Sequence, residues 1–218
     1  MQFAGGIHRC VPYFERPIMK QLITTLLAVF LFHSVFGQQI ISGNYDDGLK
    51  LSYDSVSKKI TGYFEDYSGS DEQTNNPRFS CTFYLEGVVS GQRFTIKTYY
   101  PADKKDDLIL GTMEIATNKK VSIKLPKEHG GCWNVQHFAD RLVSFSLERS
   151  QTWMQIRYVN TAKAYFYSDN SEDKRLKSYL VIGNFVCIEK IEGSWAYCTY
   201  IGKKTTKGWL KLSDLNNL

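Results

Sequence analysis

The sequence predicts an all-β protein: an N-terminal antiparallel β barrel or sandwich of about eight strands, followed by a small C-terminal barrel. Three observations carry this. The chain of 218 residues holds 14 tyrosines and 13 phenylalanines against only 5 prolines, a composition suited to pleated, half-buried strands. Its segments alternate apolar and polar residues with a period of two. Turns rich in Gly, Asn and Asp recur between them at a roughly even spacing, so each short strand has one face to bury and needs a partner sheet.

The first residues stand apart. Leu22 to Phe36 is an apolar run preceded by Lys20 and followed by Gly37-Gln38-Gln39. Its length suits a signal-peptide core and falls short of a membrane span. Cleavage is expected after Gly37, with translation starting at Met19 because Met19-Lys20 supplies the short basic segment; residues 1–18 are then upstream sequence. An uncleaved anchor helix is the rival reading, weakened by His33 and Ser34. The expected location is periplasmic or secreted, with no membrane span after cleavage. Residues 1–37 carry three basic side chains and one acidic, so the mature chain keeps 24 basic and 21 acidic residues, a net charge of +3 against +5 for the whole. That mild excess does not argue for nucleic acid, which would need Lys and Arg clustered on one face, and none is expected as a partner; it is compatible with work near an anionic cell wall.

From residue 38 to 150 the pattern reads as one β domain. Ile40 to Tyr45, Leu49 to Tyr53 and Lys59 to Glu65 form a meander with hairpin-length turns. Tyr67 to Arg78 is polar and aperiodic and reads as a surface loop. Phe79, Cys81, Phe83 and Leu85 then share one buried face, with Ser80, Thr82 and Tyr84 on the other. Further strands are expected at Arg93 to Tyr99, Ile109 to Ile115, Val121 to Leu125 and Val143 to Glu148, and a short helix around Asn134 to Leu142. Ser42-Gly43-Asn44-Tyr45 is similar to the Gly-x-aromatic openings of lipocalin-like barrels. Residues 151–161 form a junction, where Trp153 to Val159 alternates and either closes the first domain or braces the second.

Residues 162–218 read as the small barrel. In Ala164 to Tyr167, Ala164 and Phe166 should face in and Tyr165 and Tyr167 out; Ser168 to Arg175 is a polar excursion. The closing strands hold Tyr179-Leu180-Val181-x-Gly183-Asn184, Val186-x-Ile188, Gly193-x-Trp195, Gly208-Trp209-Leu210-Lys211 and Ser213-Asp214-Leu215. In these residues the last quarter of the chain resembles the bacterial Src homology 3 domain. The pattern departs from the family at Asn184, where Asp often follows the turn glycine, and at Tyr165 and Tyr167, where polar residues are usual. The resemblance implies a non-enzymatic binding protein that recognises cell-wall peptide (peptidoglycan) or a periplasmic partner protein. It also implies that Tyr165, Tyr167, Tyr179, Trp195 and Trp209 bind the ligand, since flat amphipathic rings give contact area at low entropic cost. For Trp195 and Trp209 the plainer alternative is that they seal the barrel. Lys203, Lys204, Lys207 and Lys211 nearby read as a solvated face or as partners for peptide carboxylates.

Export makes disulfides possible for Cys81, Cys132, Cys187 and Cys198. If Val186 and Ile188 point into the small barrel, Cys187 points out, whereas Cys198 faces in with Ala196; residues on opposite faces cannot meet disulfide geometry. A Cys81–Cys132 bridge is therefore expected, with Cys198 a small core residue. Glu128-His129-Gly130-Gly131-Cys132, with His137 and Asp140, also has the spacing of a zinc site or of a thiol nucleophile with a histidine base. The bridge reading takes precedence, because a bonded sulfur can be neither ligand nor nucleophile. The carboxylate pairs Asp46-Asp47, Glu65-Asp66, Asp71-Glu72 and Asp106-Asp107 fall at turns, and no phosphate loop or hydrolase motif is present. No catalytic residue, metal or cofactor is expected. Two other functions stay open: an inhibitor or immunity protein presenting the Tyr67 to Arg78 loop or the His129-Gly130-Gly131 turn to a secreted hydrolase, and a cell-wall-modifying enzyme acting through Glu128 or His129.

Overall fold

The structure, a computed structural model, describes Met1 and residues 40–218; the signal segment, its cleavage after Gly37 and the start at Met19 lie outside the described residues. Strands β1 (Gly43–Tyr45), β2 (Leu49–Asp54), β3 (Lys59–Ser68), β4 (Phe79–Val88), β5 (Arg93–Tyr99), β6 (Ile109–Thr117), β7 (Lys120–Lys124) and β8 (Val143–Ser150) pair antiparallel in chain order. β8 returns to β1 through Gly43↔Ser150 and Asn44↔Arg149, which closes a barrel rather than a sandwich. β3 and β4 run on past Glu65 and Leu85, so Tyr67 and Ser68 pair with Ser80 and Phe79 instead of belonging to the loop. The turn from β1 to β2 needs left-handed backbone at Asp47 and Gly48, and a Cβ at Gly48 would lie 2.1 Å from the Glu65 carbonyl oxygen.

Period-two residues fill the barrel: Leu49 and Leu51, Ile60 and Phe64, Cys81, Phe83 and Leu85, Phe94 and Ile96, Val121 and Ile123, Val143 and Phe145. The helix expected around Asn134 to Leu142 does not form. The chain makes one 3-10 turn, Cys132–Asn134, then bends so that Phe138 enters the barrel core, edge-on to Phe64 at 5.0 Å and to Phe83 at 5.3 Å. Three anchors hold this plug and leave no room for a helical stripe. Cys132 is bonded to Cys81 as expected, Gly131 turns left-handed beneath the Ser80 carbonyl, and the Leu125 N–H donates to the Phe138 carbonyl at 3.0 Å.

The remaining strands, β9 (Gln155–Tyr158), β10 (Ala164–Tyr167), β11 (Arg175–Leu180), β12 (Phe185–Glu192), β13 (Trp195–Ile201) and β14 (Thr205–Lys211), form one antiparallel sheet in the order β11-β10-β14-β13-β12-β9. Its ladder does not close between β11 and β9. Even so, Val159, Leu180, Val186, Ile188, Ala196, Cys198 and Leu215 share one core with Ala164, Phe166 and Leu210, so the sheet curls around it. Val186, Ile188, Ala196 and Cys198 all face inward, as the strand parity requires. Cys187 and Cys198 are both free and buried, on opposite faces.

A third cluster joins the two layers. Tyr63, Tyr84 and Tyr99 leave the outer faces of β3, β4 and β5 and meet Trp153, Ile156, Tyr158 and Cys187. Tyr84, on the face of its strand opposite Cys81, Phe83 and Leu85, is thus wholly buried as well. Its hydroxyl donates to the Ile156 carbonyl at 2.9 Å, and the Ile156 N–H donates to Thr61 Oγ1 at 2.8 Å. Phe185 stacks on Tyr63 with ring centroids 4.3 Å apart. The junction strand belongs to the second sheet, pairing with β12, while its other side lies against the barrel.

Candidate aromatic binding face

Alternation along β13 and β14 sends Ala196, Cys198 and Leu210 into the core and sends Trp195, Tyr197 and Trp209 to the opposite face. β10 adds Tyr167 there, in register as Tyr167↔Trp209↔Tyr197. Tyr167 and Trp195 meet edge-on at 4.7 Å, and Tyr197 and Trp209 at 5.5 Å. Two ammonium groups lie over these rings: Lys211 Nζ is 5.8 Å from Tyr167 and from Trp195, and Lys190 Nζ is 5.9 Å from Trp209. Each is held by a carboxylate, Lys211 by Glu172 at 2.6 Å and Lys190 by Glu192 at 2.5 Å. Asn170 Nδ2 donates to the second Glu192 oxygen at 2.8 Å, tying the 168–174 excursion to this face.

Three of the five predicted ligand residues, Tyr167, Trp195 and Trp209, therefore come together, and the other two do not join them. Tyr167 does point outward, but it is 5% exposed and Trp209 9%, with Trp195 and Lys211 against the first ring and Tyr197 and Lys190 against the second. Tyr165 and Tyr179 form a separate tilted pair at 5.6 Å, with Arg175 over Tyr165 and Lys163 over Tyr179. Tyr197 is the member that sequence reading missed. The same period of two that picked Trp195 points to it.

The histidine segment is a barrel plug. His129 is buried, with Nδ1 2.7 Å from Asp107 Oδ2, Nε2 2.8 Å from Thr98 Oγ1 and its ring stacked on Phe83 at 4.9 Å. The order acid, imidazole, hydroxyl matches that of a nucleophile relay, but Thr98 faces the barrel interior with no exposed surface. The zinc and thiolate readings of Cys132 are overturned by its bond to Cys81. His137 lies elsewhere, 3.4 Å from Asp140. Among the described residues no group of three His, Cys, Asp or Glu side chains is placed to hold a metal.

Burial pushes the His129 pKa below its ordinary value of 6.5, against the opposing pull of the Asp107 carboxylate. The folded chain thus favours the neutral ring, with Nδ1 against the Asp107 carboxylate and Nε2 against the Thr98 hydroxyl oxygen, which itself donates to the Ile109 carbonyl at 3.1 Å. The unfolded chain takes up a proton as pH falls through 6.5. Stability from this group is then complete above that value and declines on acidification toward the lower folded-state pKa, by up to about 1.4 kcal/mol per pH unit in the window. We expect the urea midpoint to drop between neutral pH and about pH 5, and to drop less in His129→Gln; equal pH dependence of the two proteins would contradict this account.

A cleft of 390 Å³ between the barrel and the second sheet is lined by Glu65, Thr82, Tyr100, Asn184 and Tyr200 among others. No helix among the described residues is long and apolar enough to cross a membrane. Comparison of the chain with protein-family models, with curated proteins and with solved structures finds no match.

Proposed function

We propose that the chain is an exported, non-enzymatic binding protein, and that the outer face of the six-stranded sheet holds a cell-wall peptide or a partner protein. The observation that supports this is the gathering of Tyr167, Trp195, Tyr197 and Trp209 on the side of the sheet away from its core, beneath Lys190 and Lys211. A sheet needs no second aromatic layer on its outer face for folding, whereas a recognition surface is built from such rings with a polar rim. The two lysines can exchange Glu172 and Glu192 for carboxylates of a ligand, which gives charge selection without leaving a buried ion unpaired. The resemblance of this region to bacterial Src homology 3 domains agrees in kind and suggests the wall peptide as the first ligand to try.

The test is retention of the purified protein on peptidoglycan sacculi. Trp195→Ala should lower the affinity about tenfold or more, the effect of losing a central aromatic anchor. Tyr100→Ala, on the barrel, should leave it unchanged. Equal retention of wild type and Trp195→Ala rejects the assignment of this face.

One observation favours the inhibitor reading as a second choice. The loop after β3 is organised by its own hydrogen bonds: Asp71 Oδ1 accepts from the N–H groups of Gln73 and Thr74, and the Asn75 N–H donates to the Asp71 carbonyl at 2.8 Å within the loop. A preformed exposed loop is what enzyme inhibition by insertion requires. Stable co-purification with a secreted hydrolase, lost on Asp71→Ala, would favour it.

A further inference from the structure

We infer that β11 is an open strand-addition edge, suited to an extended peptide of a partner in which acidic side chains alternate with apolar ones. A closed barrel has no edge to offer. The second sheet has two, β9 and β11, and they are treated differently.

The β9 edge is sealed. On its side away from β12, the Ile156 N–H meets Thr61 Oγ1 and the Ile156 carbonyl meets the Tyr84 hydroxyl. The Tyr158 N–H donates to Asn216 Oδ1 at 2.8 Å, and the Tyr158 carbonyl accepts from the Asn216 N–H at 3.0 Å. Four outward backbone groups therefore have partners supplied by the barrel and the C-terminal tail. Among the described residues β11 has one strand neighbour, β10, and Arg175 to Tyr179 are all exposed. No described residue covers it in that way.

Side-chain chemistry selects the occupant. Leu180 lies in the core. Arg175 and Tyr179 pair with Tyr167 and Tyr165, which face away from the core, across a bulge that gives β11 two extra residues between them; parity is kept, so Lys177 goes with Arg175 and Tyr179, and Leu176 and Ser178 lie on the Leu180 side. The acidic residues just upstream are engaged elsewhere, Glu172 with Lys211 and Asp173 with Lys174, and the Arg175 guanidinium lies on the Tyr165 ring rather than on a carboxylate. Leu176 is 41% exposed and Tyr179 45%. An added strand places its side chains opposite these on the same faces, so carboxylates would meet Arg175 and Lys177 while an apolar residue covers Leu176. A second copy of the chain is the wrong occupant, since β11 against β11 would put the basic residues of both copies on one face, where like charges repel.

This edge adjoins the aromatic face, Arg175 being the register partner of Tyr167, but the two assignments are read by different measurements, exchange at β11 against the effect of Trp195→Ala on sacculus retention, and can fail independently. The experiment uses the full protein and a capped six-residue peptide, the length of β11, alternating valine and glutamate, with a valine–lysine peptide as control. Hydrogen exchange at Leu176 to Tyr179 should slow about tenfold or more with the glutamate peptide at millimolar concentration. It should not change with the control, and the preference should reverse in the double variant Arg175→Glu, Lys177→Glu. No slowing at β11, equal slowing by both peptides, or slowing that follows protein concentration without peptide would each overturn the proposal, the last by naming a second copy as the occupant.

Discussion

Replacing Cys81 and Cys132 together by alanine is expected to lower the unfolding free energy by about 4 kcal/mol and the melting temperature by roughly 10 °C. The bond closes a loop of sequence separation 51, for which loss of unfolded-state entropy gives a figure of that size. The native state adds to it. The bridge pins the Cys132–Asn134 turn to β4, and the same segment delivers His129 and Phe138 into the barrel. Without the bond, hydrogen exchange should rise first across residues 126–142, before the barrel strands. Both sulfurs are fully buried, so a reductant should leave the native protein unchanged and act only once the barrel opens. A loss below about 1 kcal/mol would show that packing of Phe138 alone holds the plug, and that the chain-entropy account fails here.

What could be read in advance follows from how local each constraint is. The Arg93–Tyr99 strand and the Cys81, Phe83, Leu85 face are set by alternation within one strand, and the structure has them as read, except that Phe79, read as the first residue of that buried face, lies at the strand's end and is exposed. The separation of Cys187 from Cys198 is likewise local, since parity alone puts them on opposite faces. Its outcome for Cys187 is not local. That residue leaves the core of its own sheet and is buried against the barrel, and burial there pushes its thiol pKa up. Tyr84 shows the same limit: alternation puts it on the face opposite Phe83 but does not tell whether another sheet covers that second face. Tyr167 repeats the lesson, facing outward yet roofed by Trp195 and Lys211 from another strand. The absent helix has a different cause. Val135 and Phe138 have helical spacing, but Leu142 on the same stripe is exposed, and the disulfide with the glycine turn before it fixes a bent path that no periodicity encodes.

Tyr84→Ala is expected to cost about 3–5 kcal/mol, and to divide one unfolding transition into two. The barrel core and the sheet core are separate clusters, and the Tyr63, Tyr84, Tyr99, Trp153, Ile156, Tyr158 group is what couples them. Tyr84 lies at its middle, 5.5 Å from Tyr99 and 5.2 Å from Tyr158 by ring centroids. Burial holds its phenol protonated far above the usual tyrosine range, so its hydrogen bond to the Ile156 carbonyl persists at every pH where the chain folds. Tyr84→Phe keeps the ring and removes that donor, leaving a buried carbonyl unpaired at a cost of about 1–3 kcal/mol; the single transition should survive. Tyr84→Ala removes the ring as well, and each layer then melts on its own core. Calorimetry decides between these outcomes. One transition in both variants would mean that Phe185 on Tyr63 and the β9 hydrogen bonds suffice for coupling, and the two layers would then be a single folding unit whose aromatic face and open β11 edge are held in one fixed frame.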